Sequence, residues 1–258
     1  MKIIAVIPAH MASVRFPRKI LFQFHGLPMI EHVRRRALLS KAFDDVYVAT
    51  CDDEIASVIH SFGGKVIMTA NTHNNGTSRV AEAVKDIDCT HVVLLQGDEP
   101  LLLPGHVNQL VEAIKQDPDG ESWNATGPIE TEEELDRHSF VKCALSESNR
   151  IIFCFRRSPA YSDFEKKQTF IRKILGLIAF RKDFLEAIVK MPVSRIEKYE
   201  FIEQMRVIEN GFTMTSVPVS PSLPSVNEPS EADIVLEYIK NNPEQNEILN
   251  YILNNFNS

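Results

Sequence analysis

The sequence predicts an α/β fold: an open, mostly parallel sheet with helices on both faces, and an α+β lobe inserted after about residue 130. Three observations carry this expectation. Short apolar runs alternate with helix-length amphipathic stretches through the first half of the chain. Glycine, proline and acidic residues fall at the ends of these segments, where helices and strands stop. After about residue 130 the alternation gives way to closely spaced strand-like runs.

The elements follow in order. Residues 3–7 are a short apolar run, as a strand buried on both faces should be. Residues 29–39 carry helical spacing and begin after Pro28. Residues 46–49 form a second strand, and 53–61 a helix with Asp52 or Asp53 as its cap, closed by Gly63-Gly64. The third strand is 65–68, the next helix 78–84 and the fourth strand 91–95, ended abruptly by Asp98-Glu99-Pro100. Residues 106–115 make a further helix. Strands separated by helices in this order pair in parallel through crossovers.

The second half reads differently. Residues 141–145 and 151–155 are strands joined by a turn at Ser148-Asn149. The charged stretch 164–173 is expected as a mobile loop, 175–180 as a strand and 184–189 as the start of a helix. Residues 196–210 read as one long amphipathic helix stopped by Gly211. A strand over 214–219, a proline-rich loop over 220–229, a helix over 231–241 and a polar tail complete the chain. At 258 residues the expectation is a single domain, 1–258: a core over 1–130, an inserted lobe over about 131–211, and a return to the core with a C-terminal helix over 212–258.

Composition excludes several classes of function. With 28 Lys and Arg against 35 Asp and Glu, net charge is −7, and an acidic chain lacks the basic face that nucleic-acid backbone requires. No tract approaches the ~20 apolar residues that span a bilayer. The first apolar run ends at Pro8 and reads as a strand rather than an export signal. Cys51, Cys89, Cys143 and Cys154 include no C-x-x-C pair, so neither a zinc site nor a disulfide framework is expected, and the cytoplasm is the simplest location.

Two segments carry chemistry. Pro8-Ala9-His10-Met11-Ala12-Ser13 follows the first strand directly and leads to Arg15, Arg18 and Lys19. Ligands of open α/β sheets bind beyond the carboxyl ends of the strands. Small residues there let backbone N–H groups approach phosphate oxygens, and the three cations supply charge to hold a triphosphate. The loop lacks the glycine patterns of ATPase and dinucleotide sites. The second segment, Gln96-Gly97-Asp98-Glu99-Pro100, delivers a carboxylate to the same sheet edge. Asp98 can hold a Mg²⁺ that bridges phosphate oxygens, and Gln96 offers an amide for base or sugar recognition.

These segments join a longer pattern. Pro8-Ala9-x-x-x-Ser13-x-Arg15-x-Pro17-x-Lys19, His73-x-x-Gly76-Thr77-x-Arg79 and Gln96-Gly97-Asp98-Glu99-Pro100 are followed by Phe155-Arg156-Arg157-Ser158-Pro159, residues 176–184, Glu197-Lys198-x-Glu200-x-x-Glu203-Gln204-x-Arg206 and Val226-Asn227-Glu228-Pro229. Over nearly the whole chain this resembles the 3-deoxy-manno-octulosonate cytidylyltransferases (CMP-Kdo synthetases). The resemblance implies a Rossmann-like nucleotidyltransferase sheet whose inserted lobe serves dimerisation. It implies condensation of CTP with the acid sugar Kdo to CMP-Kdo, with release of pyrophosphate, in lipopolysaccharide biosynthesis. It also implies Mg²⁺ as cofactor and a homodimer. Carried over by motif, Ala9, His10, Ser13, Lys19, Asn75, Gly76, Arg79 and Gln96 meet the nucleotide. Arg15, Lys19 and Asp98 are the catalytic set, and Asp98 with Asn227 holds the metal. Arg157, Glu203 and Gln204 face the sugar, Arg157 suiting a carboxylate. Glu200, Glu203 and Gln204, three and four residues apart, would share one helix face.

Three positions depart from the family pattern. His10 stands where the family has Arg, which removes a fixed charge. Asn227 replaces a second metal-binding Asp and leaves a neutral oxygen donor. Ile174 replaces a sugar-site His. These departures raise the alternatives of another acidic acceptor, a nonulosonic acid or a phosphonate, and of a nucleotide-binding protein without activity.

Overall fold

The computed structural model describes residues 1–13, 15–160 and 162–256. The chain divides into two compact units, Met1–Asn108 with Leu223–Ser258, and Gln109–Ser222. The expected lobe, 131–211, lies inside the second unit.

The first unit opens with β1 (Ile3–Ala9), whose residues are apolar and almost all buried. Beyond a short 3₁₀ turn, β2 (Gln23–Phe24) and β3 (Leu27–Pro28) form a hairpin. Its two turn residues, His25 and Gly26, have φ of 50° and 77°, the left-handed pair that tight hairpins require. The unit continues with α1 (Met29–Leu39), β4 (Asp45–Thr50), α2 (Asp53–Ser61), β5 (Lys65–Met68), α3 (Gly76–Ala83), β6 (His91–Leu95) and α4 (Pro104–Gln116), which leads into the second unit. The four long strands run parallel in the order β6-β1-β4-β5. Apolar runs bounded by turn residues thus became strands, as their patterning predicts. Helix α3 starts two residues before the expected 78 because Asn75 Oδ1 accepts the Ser78 N–H at 2.9 Å and caps it.

The second unit is built on β7 (Ser122–Gly127), a strand the sequence pattern did not announce. It reads Ser-Trp-Asn-Ala-Thr-Gly, yet all six residues are buried. Its polar side chains are satisfied: Ser122 donates to Thr213 O, Asn124 bonds backbone carbonyls, and Thr126 pairs with Ser216 at 2.7 Å. Then come α5 (Glu132–Asp136), β8 (Lys142–Leu145), β9 (Ile151–Phe155), α6 (Phe164–Lys167), β10 (Ile171–Arg181), α7 (Lys182–Ile188), α8 (Arg195–Glu200), α9 (Gln204–Glu209) and β11 (Met214–Pro218). β10 is antiparallel to both β7 and β8, β8 is antiparallel to β9, and β11 is parallel to β7.

Three expectations need correction. The stretch 164–173 is not a loop: Asp163 caps α6, Phe164 and Phe170 pack on Ile129, Leu135, Phe155 and Ile171, and β10 begins at Ile171. The single helix over 196–210 is two, broken at Phe201, which adopts left-handed φ 54° and ψ 47°. There Arg156 donates to the freed carbonyls of Glu200 (2.9 Å) and Phe201 (3.2 Å). The break sets Glu200 on α8 and Glu203-Gln204 at the start of α9, so the three do not share a helix face. Finally, the polar tail is helical.

The chain returns to the first unit through α10 (Pro229–Asn241) and α11 (Pro243–Asn254). Leu249, Ile252 and Gln245 of α11 are buried, and the helix is fastened to α1. Arg35 Nη1 donates to Ile252 O at 2.6 Å, and Arg36 Nη1 to Gln245 Oε1 at 2.7 Å. Glu31, fully buried, accepts from Arg34 (2.5 and 2.8 Å) and Arg35 (3.1 Å), which neutralises charge in the interior.

Candidate active site

Because β1 and β6 are parallel neighbours, Ala9 and the Gln96-Gly97-Asp98 segment leave the sheet at the same edge. Their meeting depends on small residues. A Cβ on Gly97 would lie 2.6 Å from Ile20 Cδ1, and one on Gly76 would lie 3.1 Å from Pro8 Cγ. Between these segments the first unit holds a cavity of about 700 Å³, within the size range of small-molecule sites.

Nine of the sequence-expected residues line this one cavity: Ala9, His10, Ser13, Lys19, Asn75, Gly76, Arg79, Gln96 and Asp98. The loop after β1 folds on itself, with Ser13 N–H on Met11 O at 2.9 Å. It is tied to the sheet edge by Asp52, whose Oδ2 accepts the Met11 N–H at 3.0 Å. Asp52 stands in the cap position of α2 but makes no capping bond. Asp52 or Asp53 was expected as the cap; Asp52 takes the cap position, but its carboxylate holds the loop.

Charge in the cavity is arranged in pairs and dipoles. Lys19 Nζ lies 2.6 Å from Asp98 Oδ2 and donates to Val226 O at 3.1 Å. Arg79, 4% exposed, is braced by Thr69 Oγ1 at 2.6 Å and Ala70 O at 3.3 Å. The first turn of α3 opens on the cavity at Asn75 and Gly76, a helix end that favours anions. His73 braces that turn through Ser78 Oγ at 3.1 Å and Glu82. Partial desolvation of the His10 ring, and then the Arg79 charge, lower its pKa below the usual 6.5, so it is neutral at pH 7. Asp52, Cys51, Asn71, His73 and Asn74 also line the cavity. None was singled out as a ligand; His73 stands in a quoted motif, and the others lie in polar segments with no distinguishing pattern.

The remaining expected residues do not line it. Arg15 is half exposed and pairs with Glu228 at 3.6 Å. Asn227 follows Val226, whose N–H donates to Asp98 O at 2.9 Å, so the 226–227 segment runs beside the carboxylate's own backbone. Its side-chain amide donates to Ser225 Oγ at 3.2 Å. Glu228 caps α10 and carries the Arg15 pair. Arg157, Glu203 and Gln204 belong to the second unit: Arg157 is exposed, Glu203 is half-buried at the N-terminus of α9, and Gln204 Nε2 donates to Asn124 Oδ1 at 3.1 Å. Ile174 is in β10.

Against protein families, residues 4–216 match the cytidylyltransferase model. The chain belongs to the cytidylyltransferase family. Among curated cytidylyltransferases, the 3-deoxy-manno-octulosonate cytidylyltransferase of Geobacter metallireducens is 35% identical over 92% of this chain and 97% of its own length. The 8-amino-3,8-dideoxy-manno-octulosonate cytidylyltransferase of Shewanella piezotolerans is 36% identical over 91% and 97%. Among solved structures, CMP:2-keto-3-deoxy-manno-octonic acid synthetase complexed with CTP superposes with a TM-score of 0.87 at 31% identity, covering 93% of this chain and 99% of that one. This cytidylyltransferase therefore has the mixed α/β fold with a mostly parallel sheet that its patterning predicts.

Proposed function

We propose that the protein transfers CMP from CTP to the anomeric hydroxyl of Kdo or a closely related acidic sugar and releases pyrophosphate. One observation carries the reading: nine motif positions, scattered over residues 9–98, converge on one cavity at the carboxyl edge of a parallel sheet. Relatives of near-equal identity act on the octulosonate or on its 8-amino-3,8-dideoxy form, which sets the acceptor class.

In this reaction the sugar hydroxyl attacks the α-phosphorus, its proton passes to solvent, and pyrophosphate leaves in line. Such a transfer needs positioning and charge neutralisation more than a covalent nucleophile. Backbone N–H groups of the loop through Ser13, the N-terminus of α3, Arg79 and Lys19 supply that charge, and Arg15 adds to it from the loop's outer end. The neutral His10 gives hydrogen bonding without a fixed charge.

Mg²⁺ suits the residues present. The Lys19 ammonium already sits on the Asp98 carboxylate and the Val226 carbonyl, hard oxygen donors of the kind Mg²⁺ prefers. Asp98, with Asn227 beside it in the chain segment that follows Val226, would hold the ion, which when bound neutralises charge on the departing pyrophosphate. Arg157, Glu203 and Gln204 would take the acceptor, Arg157 at its carboxylate. By the same reading the protein acts as a homodimer in the cytoplasm with no nucleic-acid or membrane partner. Its acidic charge, the exposed apolar Ile152 and Phe153 on β9, and the lack of any described helix long and apolar enough to cross a membrane support this.

The test is pyrophosphate release by purified protein with CTP, Mg²⁺ and a panel of Kdo, 8-amino-3,8-dideoxy-Kdo, a nonulosonic acid and a phosphonate. Release with either octulosonate is expected. Release only with the nonulosonic acid or the phosphonate would reassign the acceptor, and CTP binding without release from any would leave a nucleotide-binding protein.

A further inference from the structure

Asn124 is fully buried in the middle of β7 and lies among backbone carbonyls. Its Nδ2 donates to Ala125 O at 2.9 Å, Leu175 O at 2.9 Å and Leu177 O at 3.3 Å. The register of β10 against β7 shifts between Ile174 and Ile178, and both captured β10 carbonyls lie in that irregularity. An amide has one donor end and one acceptor end. Turned over, Asn124 would point Oδ1 at three carbonyl oxygens and lose every one of these bonds, which a buried site does not tolerate. The backbone therefore fixes which way this amide faces.

That choice passes to the next residue. Asn124 Oδ1 accepts from Gln204 Nε2 at 3.1 Å. A Gln204 amide turned over would set Oε1 against Oδ1, oxygen against oxygen. Gln204 is thus held with its donor end inward, and among the described residues its side chain makes no other hydrogen bond. Nothing in the polar run Ser-Trp-Asn-Ala-Thr-Gly singles out Asn124.

We propose that Asn124 is the positioning residue for Gln204: locked by the carbonyls of Ala125, Leu175 and Leu177, it takes up one N–H of Gln204 and turns the Gln204 carbonyl oxygen towards the acceptor. The proposal rests on the reading of Gln204 as an acceptor contact. It sets the polarity of that contact. Gln204 Oε1 accepts from a hydroxyl or an ammonium of the sugar, while the carboxylate is left to Arg157.

The test is a double-variant cycle on the full-length protein with CTP and whichever acid sugar supports pyrophosphate release. Gln204→Ala and Asn124→Ala are each expected to raise the acceptor KM about tenfold, the effect of one hydrogen bond, with the CTP KM unchanged. The double variant is expected to be no worse than either single one, because both remove the same contact. Additive effects, or an Asn124→Ala acceptor KM like wild type, overturn the proposal. Gln204→Glu serves where the Asn124 variants do not fold: its second oxygen meets Asn124 Oδ1, so its acceptor KM should be at least as high as that of Gln204→Ala, and a wild-type value overturns the proposal. A wild-type acceptor KM in Gln204→Ala removes Gln204 from the acceptor site and takes this inference with it, while CMP transfer by the unaltered protein would still stand.

Discussion

With Lys19 Nζ 2.6 Å from its Oδ2 and the Val226 N–H on its backbone carbonyl, Asp98 is fixed by both side chain and main chain. The Asp98→Asn variant keeps the main-chain bond and the side-chain shape and loses the charge. We expect turnover to fall by ~10³ or more, from loss of the carboxylate on which the proposed Mg²⁺ site and its electrostatics rest. Thermal unfolding should shift by no more than about 1 kcal/mol, since the lost ion pair is partly solvated. Full activity in this variant would make Asp98 a turn residue only. His10 gives a second residue-scale prediction. Its pKa is lowered below the usual 6.5, so the neutral ring dominates from pH 7 upward and the CTP KM should not titrate through it between pH 7 and 9. His10→Arg restores a fixed charge at the cavity and should lower the CTP KM roughly fivefold at pH 7.5, about 1 kcal/mol of added charge-assisted bonding; a raised KM would mean that the site is shaped around the imidazole. At this scale the convergence of nine expected residues on one cavity was legible because they follow strand ends, where chain order and spatial order coincide. Of the two expected caps, Asp52 takes the cap position without the capping bond, because a carboxylate one residue before a helix has two uses and only the approach of the Met11 N–H decides between them.

Elements were legible where periodicity and end signals agreed. β1, α1, α2, β5 and β6 follow their apolar spacing to within two residues. β7 was missed because its buried polar residues find partners that no local pattern shows, and the long helix over 196–210 was overrun because nothing in Glu200-Phe201-Ile202 breaks helical spacing. Arg156, about 45 positions earlier, pays for that break by binding the freed carbonyls. Phe201 holds its left-handed conformation with its side chain 81% exposed. Phe201→Gly should therefore raise stability by about 1 kcal/mol, read from the urea midpoint, because glycine enters that region without strain. A destabilised variant would assign the phenyl ring a contact of its own. At the other end of the chain, Gln245→Ala removes the partner of a buried guanidinium and should cost about 1–3 kcal/mol in the same measurement. An unchanged midpoint would show that α11 is not fastened there.

Across the whole molecule, stability and assembly both trace to α1. Burial of His32 lowers its pKa to about 4, with only the Phe24 carbonyl opposing that shift among its nearest groups. The folded state then binds fewer protons than the unfolded chain as pH falls from 6.5 towards 4. Stability from this group is complete above 6.5 and declines through that window, by about 3 kcal/mol at its end. His32→Gln should flatten the acid limb of a stability-versus-pH curve, and an unchanged limb would place the cause elsewhere. The bonds from Arg35 to Ile252 and from Arg36 to Gln245 join residues 217 and 209 positions apart. On the ribosome, α1 leaves the exit tunnel long before its partners exist. The first unit can therefore reach its final packing only after residue 252 has been made, with the whole of Gln109–Ser222 already synthesised in between. Val226, which fixes Asp98 and Lys19, is equally late. A stalled or truncated nascent chain would thus carry the whole loop after β1 yet lack the Val226 contacts that fix Lys19 and Asp98.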